Sequence, residues 1–317
     1  MATASGGGEL SHRVLFYRDE QEYLAQIAAF ARGGLAQAEA VFVALPGGRG
    51  QRVSEALNSL SPQVSYADMA EAGRNPARII PQLREFIETH PGRRVRFVSE
   101  SAWPGRSAAE LREAARHEAL TNLAFDGAPL TIMCLYDRRL AGSVIDTARR
   151  THPAVLHEGQ TQVSAHYAGP SDMPPDCDRA LPPPPGNAAV LAYRTDLRTM
   201  RDAVTEHARR SGLSEDRTAS LVLAVSELAA NTLRHTSSGG TLHIWRTSRE
   251  ILCQVRDQGW IADPLAGRTR RPATEPGHGL WVVNQVCDLV ELRTGPSGTT
   301  FRLHMRLPSA GSGPRRD

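Results

Sequence analysis

The stretch Leu221-Val-Leu-Ala-Val-Ser-Glu-Leu-Ala-Ala-Asn-Thr-Leu-Arg-His235 is the strongest indication of the fold in the second half of this chain. Glu227 and Asn231 stand four positions apart in it, so on a helix they share one face. Most other residues of the stretch are apolar, and burying an unpaired carboxylate is costly. The polar stripe should therefore face solvent or a ligand. Taken alone, the pattern favours a solvated helix face.

Three short motifs follow this stretch in a fixed order. Asp257-Gln-Gly259 ends a strand-like run, Gly277-His-Gly279 opens a helix-like run, and Gly298-Thr-Thr-Phe301 opens a last strand. Each motif alone is typical of a turn or a loop. In this order and at this spacing, residues 190–307 resemble the Bergerat-fold (GHKL) ATPases and, within them, the anti-sigma serine kinases of bacteria.

The resemblance implies a site for ATP or ADP with Mg²⁺. By resemblance, Asn231 is the magnesium ligand and Glu227 is the general base. An amide oxygen suits Mg²⁺, and a carboxylate can accept a proton from an attacking hydroxyl. Asp257 is implied to accept a hydrogen bond from the amine of adenine, and Gly259 lets the backbone approach the ring closely.

The phosphates are expected beside the helix that begins near Leu280, which belongs to the predicted nucleotide-binding set. Gly277 and Gly279 allow the chain to pass close to phosphate, and the helix N-terminus favours an anion. The family places a hydroxyl near adenine where Thr299 and Thr300 stand, and both remain candidates.

A stretch rich in Pro, Gly and Arg, Trp260–Pro276, occupies the position of the family's mobile lid. Arg268, Arg270 and Arg271 are candidates for phosphate contact there. A solvated basic loop is the favoured interpretation of these three arginines.

Composition narrows the class of protein. Among 317 residues, 40% are hydrophobic and 22% are charged, as in an ordinary globular protein of two domains. No signal peptide and no apolar run of membrane-spanning length stand out, so we expect a cytoplasmic protein with no membrane partner. A net charge of +3, spread along the chain, argues against direct nucleic-acid binding. The chain has no lysine, which excludes a P-loop lysine.

Four consecutive prolines mark the clearest boundary. The run Ala180-Leu-Pro-Pro-Pro-Pro-Gly-Asn187 predicts a stiff, extended spacer. The predicted organisation is a first domain at 10–178, a linker at 179–189, an ATPase domain at 190–308 and a disordered tail at 309–317.

The pattern of the ATPase half predicts helices packed on an antiparallel-rich sheet, which is an α+β Bergerat sandwich. Thr195 or Asp196 can cap a first helix, and Ser214 can cap the helix that carries Glu227. The expected strands lie at 241–246, 251–257, 288–293 and 299–307.

The first half alternates strand-like and helix-like runs, which predicts an α/β parallel sheet with helices on both faces. Strands are expected at 14–17, 41–45, 95–98 and 130–136, and helices at 21–31, 51–60, 76–89 and 107–123. Five stretches resemble the MEDS sensory domain over about residues 10–170, which implies a RecA-like core: His12-Arg-Val-Leu-Phe-Tyr17, Gly34-Leu-Ala-Gln-Ala-Glu39, Glu118-Ala-Leu-Thr-Asn122, Cys134-Leu-Tyr-Asp137 and Thr151-His-Pro153. Arg18-Asp-Glu-Gln21 stands where a phosphate loop would lie, so nucleotide hydrolysis there is not expected.

The spacing of the histidines and cysteines suggests no metal site. No pair of His12, His117, His152, His157 and His166 has a convincing ligand spacing, so structural or surface roles are favoured. The cysteines lack a C-x-x-C pair, and Cys134 and Cys253 are expected in the core. The Glu118-x-x-x-Asn122 spacing, with no further motif after it, is interpreted as coincidence.

The function implied by the resemblance is that of a signal-responsive regulator. Its ATPase domain would sequester a sigma factor, phosphorylate a serine or threonine of a STAS-type antagonist protein, or both. A small molecule is a candidate signal for the first domain, and a homodimer is possible. The alternatives are a nucleotide-gated binding protein without kinase activity and, less favoured, a sensor histidine kinase, whose dimerising helix would fall on the four prolines.

Overall fold

Alternating apolar strands and helices in the first half build a mostly parallel sheet. The computed structural model describes residues 9–157, 159–169, 173–174, 177–270, 274 and 277–308, so the predicted tail and Arg271 lie outside the described residues. The chain divides between Asp178 and Arg179 into two units.

The first unit contains thirteen regular elements within its described residues, besides short 3₁₀ turns at Asn58–Gln63 and Pro76–Arg78. In chain order they are β1 Ser11–Tyr17, α1 Glu20–Leu35, β2 Ala40–Leu45, α2 Arg49–Leu57, β3 Val64–Asp68, α3 Met69–Ala72, α4 Ile79–Glu88, β4 Val95–Ser99, α5 Ala108–Ala124, β5 Leu130–Asp137, α6 Gly142–Thr151, β6 Ala154–His157 and β7 Gln160–Val163.

The sheet of this unit has the order β3-β2-β4-β5-β1-β6-β7. All pairings are parallel except that of β7 with β6. The predicted α/β class is confirmed. The central strands β2 and β5 are buried along their whole length, as strands covered on both faces must be.

Only Arg18 and Asp19 connect β1 to α1, and this connection is too short to form a phosphate loop. Asp19 caps α1 by accepting a hydrogen bond of 2.9 Å from the amide of Glu22, and Glu20 and Glu22 add negative charge to the first turn. Acidic groups at this helix N-terminus oppose an anion rather than attract one.

The second unit contains eight regular elements within its described residues. They are β8 Ala189–Tyr193, α7 Leu197–Arg210, α8 Glu215–His235, β9 Gly240–Arg246, β10 Glu250–Asp257, α9 His278–Val286, β11 Leu289–Gly295 and β12 Gly298–Arg306.

All neighbours in this second sheet are antiparallel, and the strand order is β11-β12-β10-β9-β8. Apolar residues of α7, α8 and α9 pack with those of the strands into one core. The predicted α+β sandwich of helices on an antiparallel sheet is confirmed. Asp196 and Ser214 cap α7 and α8, as two of the sequence signals predict.

The segment Arg179–Ala188, which includes the four prolines, has no helix or strand. It is nevertheless attached to the second sheet. Arg293 on β11 donates a hydrogen bond of 2.8 Å to the carbonyl of Arg179, and Arg302 on β12 donates one to the carbonyl of Pro182. Of the helices in the described ranges, none combines the length and apolarity needed to cross a membrane.

Candidate functional site

A cavity of about 390 Å³ opens in the second unit, between α8, the end of β10 and the start of α9. This volume falls in the range of small-ligand sites. The described residues that line it are Leu228, Asn231, Thr232, His235, Thr236, Asp257, Gly259, Trp260, Ile261, Ala262, Asp263, Leu265, Ala266, Gly267, Thr269, Gly277, Leu280, Thr299 and Phe301.

Helix α8 supplies one wall of the cavity. Ser214 accepts a hydrogen bond from the amide of Arg217 and so fixes the start of the helix. Leu221, Ala224 and Val225 are fully buried in the core and hold the helix against the sheet. One face of the helix lines the cavity, through residues at helical spacing: Leu228, Asn231, Thr232 and His235.

Asp257, the last residue of β10, is held from both sides. Its Oδ2 accepts a hydrogen bond of 2.6 Å from the hydroxyl of Thr232, and its Oδ1 accepts one of 2.8 Å from the amide of Gly259. Each oxygen retains a second lone pair for a ligand, since a carboxylate oxygen can accept two bonds. The orientation of this carboxylate is therefore set by the protein.

The hydroxyls of Tyr193 and Thr232 form a hydrogen-bonded chain that ends at Asp257. The sequence motifs did not identify either residue. Tyr193 at the end of β8 donates a hydrogen bond of 3.0 Å to Thr232, which in turn donates to Asp257. Burial raises the pKa of Tyr193 to about 12, so its hydroxyl stays a donor at neutral pH. Thr232 directly follows Asn231 in the sequence, but only its position on the buried side of α8 distinguishes it.

Thr299 and Thr300 are separated by the geometry of β12. Thr299 is buried, lines the cavity and donates a hydrogen bond of 2.8 Å to the carbonyl of Gly259. Because successive side chains of a strand point to opposite faces, Thr300 is directed away from Thr299. Of the two candidates, the structure brings Thr299 to the cavity.

Asn231 and Glu227 differ in their surroundings although they lie on one helical face. Asn231 lines the cavity, and its Oδ1 accepts a hydrogen bond of 3.0 Å from Arg234. Glu227 is not one of the described lining residues. Its carboxylate lies against Gly279 so closely that a Cβ at that position would overlap Oε2.

The start of α9 forms the opposite rim of the cavity. Gly277 is its N-cap, with a φ of +93° that a larger residue rarely adopts, and it lines the cavity together with Leu280. The first amides of a helix have no partner within the helix and carry its positive dipole end. This rim therefore suits an anionic group.

The lid segment, residues 260–270 in the described part, is tied to α9. Asn284 donates a hydrogen bond of 3.1 Å to the carbonyl of Gly267. The expectation of a solvated basic loop holds for Arg270, which is exposed beside the ring of Trp281. It is wrong for Arg268, whose side chain is buried.

Comparisons with known proteins agree with both resemblances. Residues 11–153 match the MEDS family, the methanogen/methylotroph DcmR sensory domain, and residues 190–305 match the histidine kinase-like ATPase domain. The chain therefore combines a MEDS domain with a histidine kinase-like ATPase domain.

No curated protein matches the chain. A solved structure of the RsbU and RsbW domains of Rv1364c from Mycobacterium tuberculosis is similar at 20% identity and a TM-score of 0.30. The match covers 39% of this chain and 33% of that chain, so this chain spans about a third of the length of that relative.

Proposed function

We propose that residues 190–308 bind ATP or ADP together with Mg²⁺ in the cavity beside α8. The observation that carries this proposal is the carboxylate of Asp257, which Thr232 and Gly259 orient while it lines the cavity. Such a fixed acceptor suits the exocyclic amine of adenine. A guanine would present a carbonyl oxygen there, which a carboxylate repels.

The remaining roles follow from what each group can do. Asn231 would hold Mg²⁺ through its amide oxygen, after release of Arg234. Thr299 and Gly259 would bound the base, and Gly277, Gly279 and Leu280 would place the phosphates at the positive end of α9. Glu227 would act as the general base for transfer to a hydroxyl.

At the level of the whole protein, we propose a regulator whose MEDS domain responds to a signal and controls the ATPase domain. The activity would be sequestration of a sigma factor, phosphorylation of a serine or threonine on a STAS-type antagonist, or both. Catalysis would consist mainly of positioning the phosphoryl group and stabilising its charge with Mg²⁺.

Two observations favour a second candidate, a nucleotide-gated binding protein without phosphoryl transfer. Glu227 contacts Gly279 instead of lining the cavity, and the oxygen of Asn231 already accepts from Arg234. A protein in this arrangement can hold a nucleotide and a partner without activating a hydroxyl. A sensor histidine kinase is less supported, because no helix lies within residues 179–188.

The test is incubation of the full chain with γ-labelled ATP and Mg²⁺, with and without a purified candidate antagonist. Transfer of label to a serine or threonine of the antagonist supports the kinase. Nucleotide binding without transfer to any antagonist supports the nucleotide-gated binding protein. Label on a histidine of the chain itself supports the sensor histidine kinase. A chain that binds no adenine nucleotide contradicts all three.

A further inference from the structure

Four side chains that can ligate a metal meet in the interior of the first unit. His12 lies on β1, Glu118 on α5 and Cys134 on β5, while His152 directly follows α6. Each is at most 1% exposed, and one ligand atom from each lies within 4.8 Å of the others. Sequence spacing gave no sign that His12 and His152 lie together, because the parallel sheet brings into contact residues that are 140 positions apart.

The distances fit a single metal ion. Oε2 of Glu118 lies 3.2 Å from Nε2 of His12, 3.3 Å from Sγ of Cys134 and 3.5 Å from Nε2 of His152. Nε2 of His12 lies 3.3 Å from the same sulfur. Tetrahedral bonds of about 2.0–2.3 Å require ligand atoms about 3.3–3.6 Å apart. These four distances are close to that range, and no two of the ligand atoms lie more than 4.8 Å apart.

Hydrogen bonds around the cluster set the tautomer of His12. The amide nitrogen of Asn122 donates to the carbonyls of Glu118, Ala119 and Thr151, so its oxygen must face His12. That oxygen lies 2.9 Å from Nδ1 of His12 and can only accept. Nδ1 therefore carries a proton, and in the neutral ring Nε2 presents a lone pair to the cluster.

The second histidine is oriented in the same way. Nδ1 of His152 lies 2.7 Å from the carbonyl of Ala148, which can only accept. Nε2 then presents a lone pair, and it makes no hydrogen bond within the part of the chain that the structure describes. Ser101 donates to Oε1 of Glu118, which leaves Oε2 to face the other ligand atoms.

These bonds leave the centre of the cluster short of positive charge. Two imidazole lone pairs and a carboxylate oxygen face one another, and the thiol of Cys134 has a single hydrogen to offer them. A buried acceptor without a partner is costly. Either a proton on one histidine or a cation is needed to complete this arrangement.

We propose that His12, Glu118, Cys134 and His152 bind one divalent first-row transition-metal ion, of the class of Zn²⁺. Two nitrogens, one sulfur and one carboxylate oxygen form a ligand set that such ions take. The charges also match, because a thiolate and a carboxylate together neutralise a divalent cation. Binding displaces the thiol proton and also the proton that one histidine carries in the metal-free cluster, so about two protons leave for each ion bound at neutral pH.

The test uses the full chain stripped of metal and titrated with Zn²⁺ or Co²⁺. We expect one ion per chain, a thiolate-to-cobalt absorption band, and release of about two protons, measured by calorimetry in buffers of different ionisation enthalpy. His152→Gln and Cys134→Ser should each lower the affinity by more than the roughly 10- to 100-fold that loss of an outer partner causes. Asn122→Ala should lower it within that range.

Two variants serve as matched controls. Cys177→Ala removes another buried cysteine of the same unit, and His166→Ala removes an exposed histidine, so both should bind as the parent chain does. Binding that survives His152→Gln unchanged overturns the proposal. If a ligand variant fails to fold, the parent chain decides: absence of the cobalt band shows that a protonated histidine completes the cluster and overturns the metal site.

Discussion

The hydroxyl of Thr232 donates a hydrogen bond of 2.6 Å to Oδ2 of Asp257 across 25 positions of sequence. This bond connects the last turn of α8 to the end of β10. It makes the orientation of the Asp257 carboxylate depend on a residue that the motif order alone does not identify.

Thr232→Val should weaken binding of ATP and ADP by about tenfold, because Asp257 loses a donor worth about 1.5 kcal/mol or more. Thr218→Val is the matched control on the same helix, since the buried hydroxyl of Thr218 has no hydrogen-bond partner among the described residues. Calorimetric titration of both variants measures the difference. Equal affinities in the two would show that Thr232 does not orient the carboxylate.

Asp257→Asn should lower the affinity for adenine nucleotides by roughly 10- to 150-fold, the equivalent of about 1.5–3 kcal/mol. An amide is a weaker acceptor for the amine of adenine, and its nitrogen cannot accept at all. Asp263→Asn changes an exposed acid that lines the same cavity and should have little effect. An unchanged dissociation constant in Asp257→Asn would show that Asp257 is only a turn residue and does not contact the base.

Asn231→Ala should reduce nucleotide binding only when Mg²⁺ is present, because the amide oxygen is the proposed metal ligand. Affinities measured with Mg²⁺ and with a chelator separate this effect from general damage to the cavity. A loss of equal size under both conditions would contradict a role in holding the metal.

Glu227→Ala should leave nucleotide affinity nearly intact and slow transfer to an antagonist by roughly 10²–10⁴-fold, as expected for loss of a general base. Single-turnover transfer from ATP is the measurement, and Glu206→Ala on α7, an exposed acid, is the control. Transfer at the parent rate would exclude Glu227 as the base and leave it a solvated residue of α8.

The stability of the second unit should fall as the pH rises from about 6.5 to above 9. Burial opposes the charged form of His304, but its hydrogen bonds to Glu250 and Glu291, at 3.1 and 3.0 Å, raise its pKa to about 9. A raised pKa stabilises the folded state fully below about pH 6.5, and the contribution disappears as pH passes the folded value.

The contribution of His304 to the free energy of unfolding is on the order of 3 kcal/mol. Denaturant unfolding at several pH values, followed by tryptophan fluorescence, should show a flatter profile for His304→Gln. His243→Gln is the control in the same sheet, because burial lowers the pKa of His243 and it titrates below this window. A parent profile that rises towards pH 9 would refute the assignment.

Local signals predicted the second unit well. The caps Asp196 and Ser214, the helical spacing of α8 and the apolar runs of β9 and β10 each act within a few residues of sequence. The strand β8 was missed, because it follows the proline segment and contains only five residues. The choice between Thr299 and Thr300 needed the register of β12, which depends on pairing with β10.

The first unit was harder to predict beyond its central strands. Strand β7 is exposed throughout, and α6 carries few apolar residues, so neither produces a strong hydrophobic pattern. The cluster of His12 with His152 arises because β1 lies between β5 and β6 in the sheet. Rules based on the spacing of ligands within one helix or turn cannot detect residues that strand order brings together from distant parts of the sequence.

The position of Tyr193 has a mechanical consequence for the second unit. It ends β8, an edge strand that is held by β9 on one side only and that directly follows the proline segment. A displacement of this strand would withdraw the Tyr193 hydroxyl from Thr232. The position of the edge strand is thus coupled to the carboxylate of Asp257 through two hydroxyl groups, those of Tyr193 and Thr232.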